Sequence, residues 1–185
     1  MRLMKQIFAI AVVFLLFTGA TSAQHFNIGI KGGLNAYSIT EKSVFDETLK
    51  AGLHVGLIGH IHLSNNFALQ PELVYSMQGS KSIDLNYVNV PLLFQYMFDN
   101  GFRLQAGPQL GFLVSAEDKN NVNIKNNFES LDIAIAMGIS YVNPATNFGV
   151  DFRYNHGLTD VSKNNGPKIF NRGFQLGVFY LFNHK

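Results

Sequence analysis

Three features of the sequence predict an all-β fold, an eight-stranded antiparallel up-and-down barrel that crosses a membrane with its strands. Apolar and polar residues alternate with period 2 in eight stretches, short and long connections between the stretches alternate along the chain, and aromatic residues recur at both ends of the stretches. Period 2 marks a strand with one apolar and one polar face, because successive side chains point to opposite sides of the pleat. The stretch "NFGVDFRYNHG" (147–157) is the cleanest: Phe148, Val150, Phe152 and Tyr154 share one face, and Gly149, Asp151, Arg153 and Asn155 the other.

The first residues read as a processing signal. Arg2 and Lys5 form a basic start, "IFAIAVVFLLF" (7–17) an apolar run, and the small residues of "TGATSA" a cleavage site after Ala23. Residues 1–23 are therefore expected to be a signal peptide and 24–185 the barrel domain. The apolar run is short against the roughly 20 residues of a spanning helix. The whole chain has 14 Lys+Arg and 12 Asp+Glu, and Arg2 and Lys5 leave with the signal, so the remaining chain is formally neutral. That balance gives no argument for nucleic-acid binding. With no Cys in the sequence, stability has to come from packing or from the membrane rather than disulfides.

The expected strands are residues 26–36, 51–63, 67–78, 85–98, 102–115, 131–141, 148–156 and 170–182. In the second, Leu53, Val55, Leu57, Ile61 and Leu63 oppose His54, Gly56, His60 and His62; in the third, Phe67, Leu69, Leu73, Tyr75 and Met77 oppose Gln70, Glu72, Ser76 and Gln78. The sixth sets Leu131, Ile133, Ile135, Met137, Ile139 and Tyr141 against Asp132, Ala134, Ala136, Gly138 and Ser140. In the eighth, Phe174, Leu176, Val178, Tyr180 and Phe182 oppose Gly173, Gln175 and Gly177. Pro91 and Pro108 interrupt the fourth and fifth, and are expected at a bulge or an edge, where no ladder donor is needed.

"SNN" (64–66), "DNG" (99–101) and "NPAT" (143–146) are tight turns, whereas the intervening links are long and polar apart from a shorter one near "GSKSID". In an up-and-down barrel this puts short turns at one end and long loops at the other, as in outer-membrane barrels. Phe26, Phe67, Phe98, Phe102, Tyr141, Phe148 and Phe182 fall at the short-turn end, and Tyr75, Phe112 and Tyr154 toward the long-loop end. Two aromatic rings bracketing an aliphatic band suit the two interfaces of a bilayer.

The polar parity is rich in Gly, Ala and Ser, which would cover a soluble surface thinly but lets a small barrel close around a few large polar groups. The apolar face is therefore expected to meet lipid. Lys31, Glu72, Asp151 and Arg153 fall at similar height and are expected to form a neutral interior cluster with a structural role. The opposite orientation, a soluble exported barrel binding an apolar ligand, is the alternative.

With strands and ends placed, the chain resembles the PorT-like outer-membrane β-barrel proteins. The segments that carry the likeness are "GIKGGLN" (29–35), "LNYVNVPLLFQY" (85–96), "AGPQLGFL" (106–113), "FRYNHGLTDV" (152–161) and "FQLGVFYLF" (174–182), in the family's order over nearly the whole mature chain. The last strand also looks like an outer-membrane insertion signal in Gln175, Gly177, Tyr180 and Phe182, although Asn183, His184 and Lys185 follow its final aromatic. The resemblance implies residence in the outer membrane, contact with its lipid and recognition by the barrel-insertion machinery. One family member is linked to secretion across that membrane, which makes a secretion component an alternative role.

Site chemistry is sparse. His156 with Thr159 and Asp160 could suggest a lipid-remodelling enzyme, but no well-placed Ser accompanies them, and no catalysis is expected. His54, His60 and His62 alternate as metal ligands can, yet without Cys or a carboxylate on that strand they read as lumen-lining side chains. "KGGLN" lacks the spacing of a phosphate loop. No cofactor or metal is expected, and eight strands leave almost no lumen for transport. What remains is a structural or interaction role, with loops around 118–127 and 162–168 offered to an unidentified protein or surface ligand.

Overall fold

The computed structural model describes residues 26–40, 49–163 and 168–182. The expected signal peptide and the three residues after Phe182 lie outside them. Eight strands, β1 (Phe26–Thr40), β2 (Lys50–His62), β3 (Phe67–Ser80), β4 (Ile83–Met97), β5 (Phe102–Asp118), β6 (Leu131–Val142), β7 (Phe148–Gly157) and β8 (Phe170–Leu181), close into one barrel in sequence order. Each pairs antiparallel with its neighbours, and β8 returns to β1 from Gly29↔Leu181 to Thr40↔Phe170. Closure leaves no strand edge, so the ladder can satisfy backbone groups that lipid could not.

The apolar parity faces out. Ile30, Leu34, Leu53, Val55, Phe94, Leu104, Met137, Phe152 and Val178 are exposed, while Lys31, Glu72, Asp151, Arg153 and Gln175 are buried. A molecule whose exposed surface is Leu, Ile, Val and Phe and whose centre is ionic is inside out relative to a soluble domain, and only an apolar solvent makes that favourable. Rings at the short-turn end pack in pairs: Phe67–Tyr96, Tyr96–Phe98, Phe102–Tyr141, Phe148–Tyr180 and Tyr180–Phe182, with centroids 4.8–5.3 Å apart.

Several strands run past the expected ends on the long-loop side. β1 continues through Tyr37–Thr40 because β8 supplies partners up to Phe170, and β3 and β4 meet across Lys81 and Ser82 alone. A tilted spanning strand needs about 9–11 residues, so the 17 residues of β5 carry it well beyond the bilayer.

The prolines sit neither at a bulge nor at an edge. Pro91 pairs with Gln109 and Pro108 with Ile135 in unbroken register; the β4–β5 ladder simply lacks pairs between Pro91↔Gln109 and Phe94↔Ala106, on either side of which the register is the same. The register shift lies higher, between Asn86 and Tyr87, where Ser115 pairs with Asn86 and Leu113 with Tyr87, leaving Val114 as the extra residue. The bulge lets both Leu113 and Ala116 face inward at the mouth.

Candidate functional site

The barrel interior is layered. At its centre are the four charged residues that sequence placed at one height. Glu72 on β3 accepts from Arg153 on β7 at both oxygens (Nη1 to Oε2 3.0 Å, Nη2 to Oε1 2.9 Å), and Lys31 Nζ on β1 lies 3.5 Å from Glu72 Oε2 and 3.1 Å from Asp151 Oδ2. Arg153 Nη2 also lies 3.3 Å from Asp151 Oδ2. The two positive and two negative groups are mutually bridged, and all four side chains are at most 3% exposed. The planar guanidinium fork matches the Glu72 carboxylate, which makes this the best-formed pair of the set.

A glutamine chain that sequence reasoning missed extends the cluster. Gln70 Nε2 donates to Glu72 Oε1 (2.6 Å), and Gln95 Nε2 to both Gln70 Oε1 and Gln105 Oε1 (2.9 Å each). A hydrogen-bonded line thus runs from β5 through β4 and β3 to β7 and β1. Its signal was the inward parity of Gln70, Gln95 and Gln105, which needed the strand register to become a network. On the other wall, Ile58, Val142, Phe179 and Leu181 form an apolar cluster toward the short turns, with the Phe179 ring lying over Gly149. The interior is therefore not uniformly polar.

His54, His60 and His62 all have the inward parity, as lumen-lining residues should. His54 Nδ1 is 2.7 Å from Asn35 Oδ1, and the His60 and His62 rings meet edge to face at 4.5 Å. Among the described residues no group of three His, Asp or Glu side chains could hold a metal.

Toward the loops the interior changes character. Asn171 Nδ2 donates to Gln78 Oε1 (2.5 Å) and Asp132 Oδ2 (3.3 Å), and Thr159 Oγ1 donates to Asp132 Oδ1 (2.8 Å). Above them is an apolar plug of Leu85, Tyr87, Leu113 and Ala116 from β4 and β5 with Phe128 and Val161 from the loops. The β5–β6 and β7–β8 loops pair with each other over this plug through Glu129 N to Val161 O (2.9 Å) and Lys163 N to Asn127 O (3.0 Å), with a bridge between Phe128 and Ser162. The loops expected only to display polar groups thus also turn two apolar side chains inward. Residues 164–167 of the second loop lie outside the described residues. Val122, Asn120, Asn121, Lys119 and Lys163 remain exposed.

His156, Thr159 and Asp160 are not brought together as a reaction centre. His156 Nδ1 meets the Tyr154 hydroxyl at 3.2 Å, Thr159 binds Asp132, and Asp160 Oδ1 accepts from the backbone of Ser162 and Ile169 at 3.0 and 3.1 Å. Of the insertion-signal residues, Gln175 and Gly177 face the interior, and Tyr180 and Phe182 sit in the short-turn aromatic ring.

An apolar belt, aromatic rings, a closed eight-strand sheet and a sealed ionic centre define the class of small outer-membrane β-barrels. The chain belongs to the family described as outer membrane protein beta-barrel domain, whose model matches residues 22–163. Solved structures share the fold. Neisserial surface protein A aligns at 15% identity and a TM-score of 0.54, covering 87% of this chain and 100% of that one. Ail of Yersinia pestis, in complex with the heparin analogue sucrose octasulfate, aligns at 16% identity and a TM-score of 0.51, covering 85% and 99%. No curated protein sequence matches. The chain is an outer-membrane barrel, and the soluble alternative is set aside by the outward apolar belt and the family match.

Proposed function

We propose that this barrel is a rigid, non-conducting and non-catalytic membrane anchor whose work is done by its extracellular loops, which present a surface to a protein or surface ligand. The observation that carries the reading is the paired cap. Loops that fasten to each other and bury Phe128 and Val161 in the mouth hold a defined outer face, which suits binding more than passage. Engagement of His156, Thr159 and Asp160 with separate partners supports the absence of catalysis. In this reading the barrel touches outer-membrane lipid along its belt, enters the membrane through the barrel-insertion machinery using Gln175, Gly177, Tyr180 and Phe182, and binds no nucleic acid.

A second reading follows from the PorT-like resemblance: a component of a secretion apparatus, docking through the periplasmic end. A cavity of about 240 Å³ at that end, lined by His62, Asn65, Asp99, Arg103, Pro144 and Asn147, supports it. Photo-crosslinking in intact cells separates the two. A crosslinker at Asn120 is expected to trap a partner while one at Asp99 traps none. Capture from Asp99 alone would replace the first reading with the second, and stable single-channel conductance in a planar bilayer would overturn the sealed barrel.

A further inference from the structure

The outer face near the long loops carries a pair of basic side chains that the interior chemistry does not use. Arg172 on β8 and His156 on β7 are direct cross-strand partners. Both have the parity of Phe152, Tyr154, Phe174 and Leu176, so they face the membrane and not the lumen. At about 3.3 Å per residue and a tilt of about 40°, His156 stands about 20 Å above Phe148 of the short-turn ring, near the top of an apolar band about 25 Å tall. That is the level of outer-leaflet headgroups.

The surroundings are built for an anion. The Arg172 guanidinium lies 5.2 Å above the Phe170 ring centroid, and among the described residues it forms no salt bridge or hydrogen bond; its Nε is buried and unpartnered. By contrast Lys50 at the same end is answered within the fold, 2.6 Å from Asp84 Oδ1. The Tyr154 hydroxyl lies 3.2 Å from His156 Nδ1, and in the tautomer in which that hydroxyl donates, the imidazole carries its proton on Nε2 and offers a second donor without needing a charge. Tyr154 in turn packs on Phe174 at 5.1 Å, fixing the height of the pair. On the flanking strands Ile135 pairs with His156 and Ser38 with Arg172, and neither brings a carboxylate.

We infer that Arg172 and His156 form a binding site for the phosphate of an outer-leaflet lipid. The guanidinium fork and the imidazole Nε2–H converge on phosphate oxygens, and the acyl chains run down past Phe174, Leu176 and Phe152. A lipid is favoured over free phosphate because both residues share the outward parity of the apolar belt and stand directly above it, where a headgroup and its acyl chains are covered together. This site is independent of what the loops bind.

The test uses the full chain folded in uncharged, phosphate-free detergent micelles, with native mass spectrometry and the His156 ring resonances as readouts. Three probes are titrated: dihexanoyl phosphatidic acid, the diacylglycerol with the same tails, and inorganic phosphate. Wild-type protein is expected to bind phosphatidic acid at least about tenfold more tightly than either other probe, and Arg172→Gln to lose about tenfold of that affinity. Arg172→Lys, which keeps the charge but not the fork, should fall between them. Heat-dependent gel mobility checks that each variant is folded. Should Arg172→Gln not fold, His156→Gln carries the test with an expected loss of about threefold. Unchanged phosphatidic acid affinity in a folded variant, or equal binding of diacylglycerol, overturns the site; equal binding of inorganic phosphate overturns the lipid assignment.

Discussion

Replacing Glu72 with Gln removes one charge from a buried set of four while leaving its shape almost intact. Arg153 loses the charge on both bidentate contacts at 3.0 and 2.9 Å, Lys31 loses its 3.5 Å partner, and Asp151 alone remains to balance two cations. Breaking a buried ion pair from one side costs about 3–5 kcal/mol, because the other charge stays buried. With a urea dependence of about 2 kcal/mol per molar, that moves the unfolding midpoint in lipid vesicles down by about 2 M. Adding Lys31→Met restores neutrality, leaving Arg153 with Asp151, and should recover at least about 2 kcal/mol of the loss. Equilibrium unfolding followed by gel mobility reads both variants. A Glu72→Gln midpoint equal to wild type, or a double variant as unstable as the sum of the singles, would refute the coupling of these groups.

Other expectations follow from local geometry. A Cβ at Gly33 would run into the Leu176 carbonyl and Gly177, whereas one at Gly32 meets only the His54 carbonyl, at 3.5 Å. Gly33→Ala should therefore lose about 1–3 kcal/mol in the same unfolding assay while Gly32→Ala stays within about 0.5 kcal/mol. Phe128→Ala should empty the plug and loosen the cap without unfolding the barrel, lowering amide protection at Glu129 and Lys163 about a hundredfold while β7 is unchanged. Where β5 runs into its loop, the backbone N–H groups of Val122 and Asn120 hold the Asp118 carboxyl below the usual carboxylate range. A lowered folded value means the turn is fully held above the ordinary Asp pKa and is released as pH falls through the lowered one, so faster exchange at these two amides should appear only in strong acid.

What could be read from sequence was what period and turn length determine. Strict alternation in β7 fixed which residues share a face, and tight turns fixed the height of Lys31, Glu72, Asp151 and Arg153 well enough to bring them together. The glutamine chain required lateral register, which alternation within one strand does not supply. The plug was hidden for a different reason: Phe128 and Val161 lie in polar segments without periodicity, and their burial depends on two loops distant in sequence meeting at Phe128↔Ser162. The bulge at Val114 likewise has no local marker, since neither Gly nor Pro stands there, and the prolines that suggested one are accommodated by gaps in the ladder. His156 and Arg172 became visible as a pair only once β7 and β8 were aligned.

Orientation in the bilayer is the claim on which the sealed centre and the capped mouth depend. The sequence has no Trp, so single-Trp variants report without background. Phe152→Trp and Leu176→Trp, on the outer belt, and Tyr87→Trp, on the inner wall, can be folded into vesicles whose acyl chains carry bromine. Strong quenching is expected for the first two and little for the third. Strong quenching of the inner-wall Trp together with unquenched emission from positions 152 and 176 would contradict it.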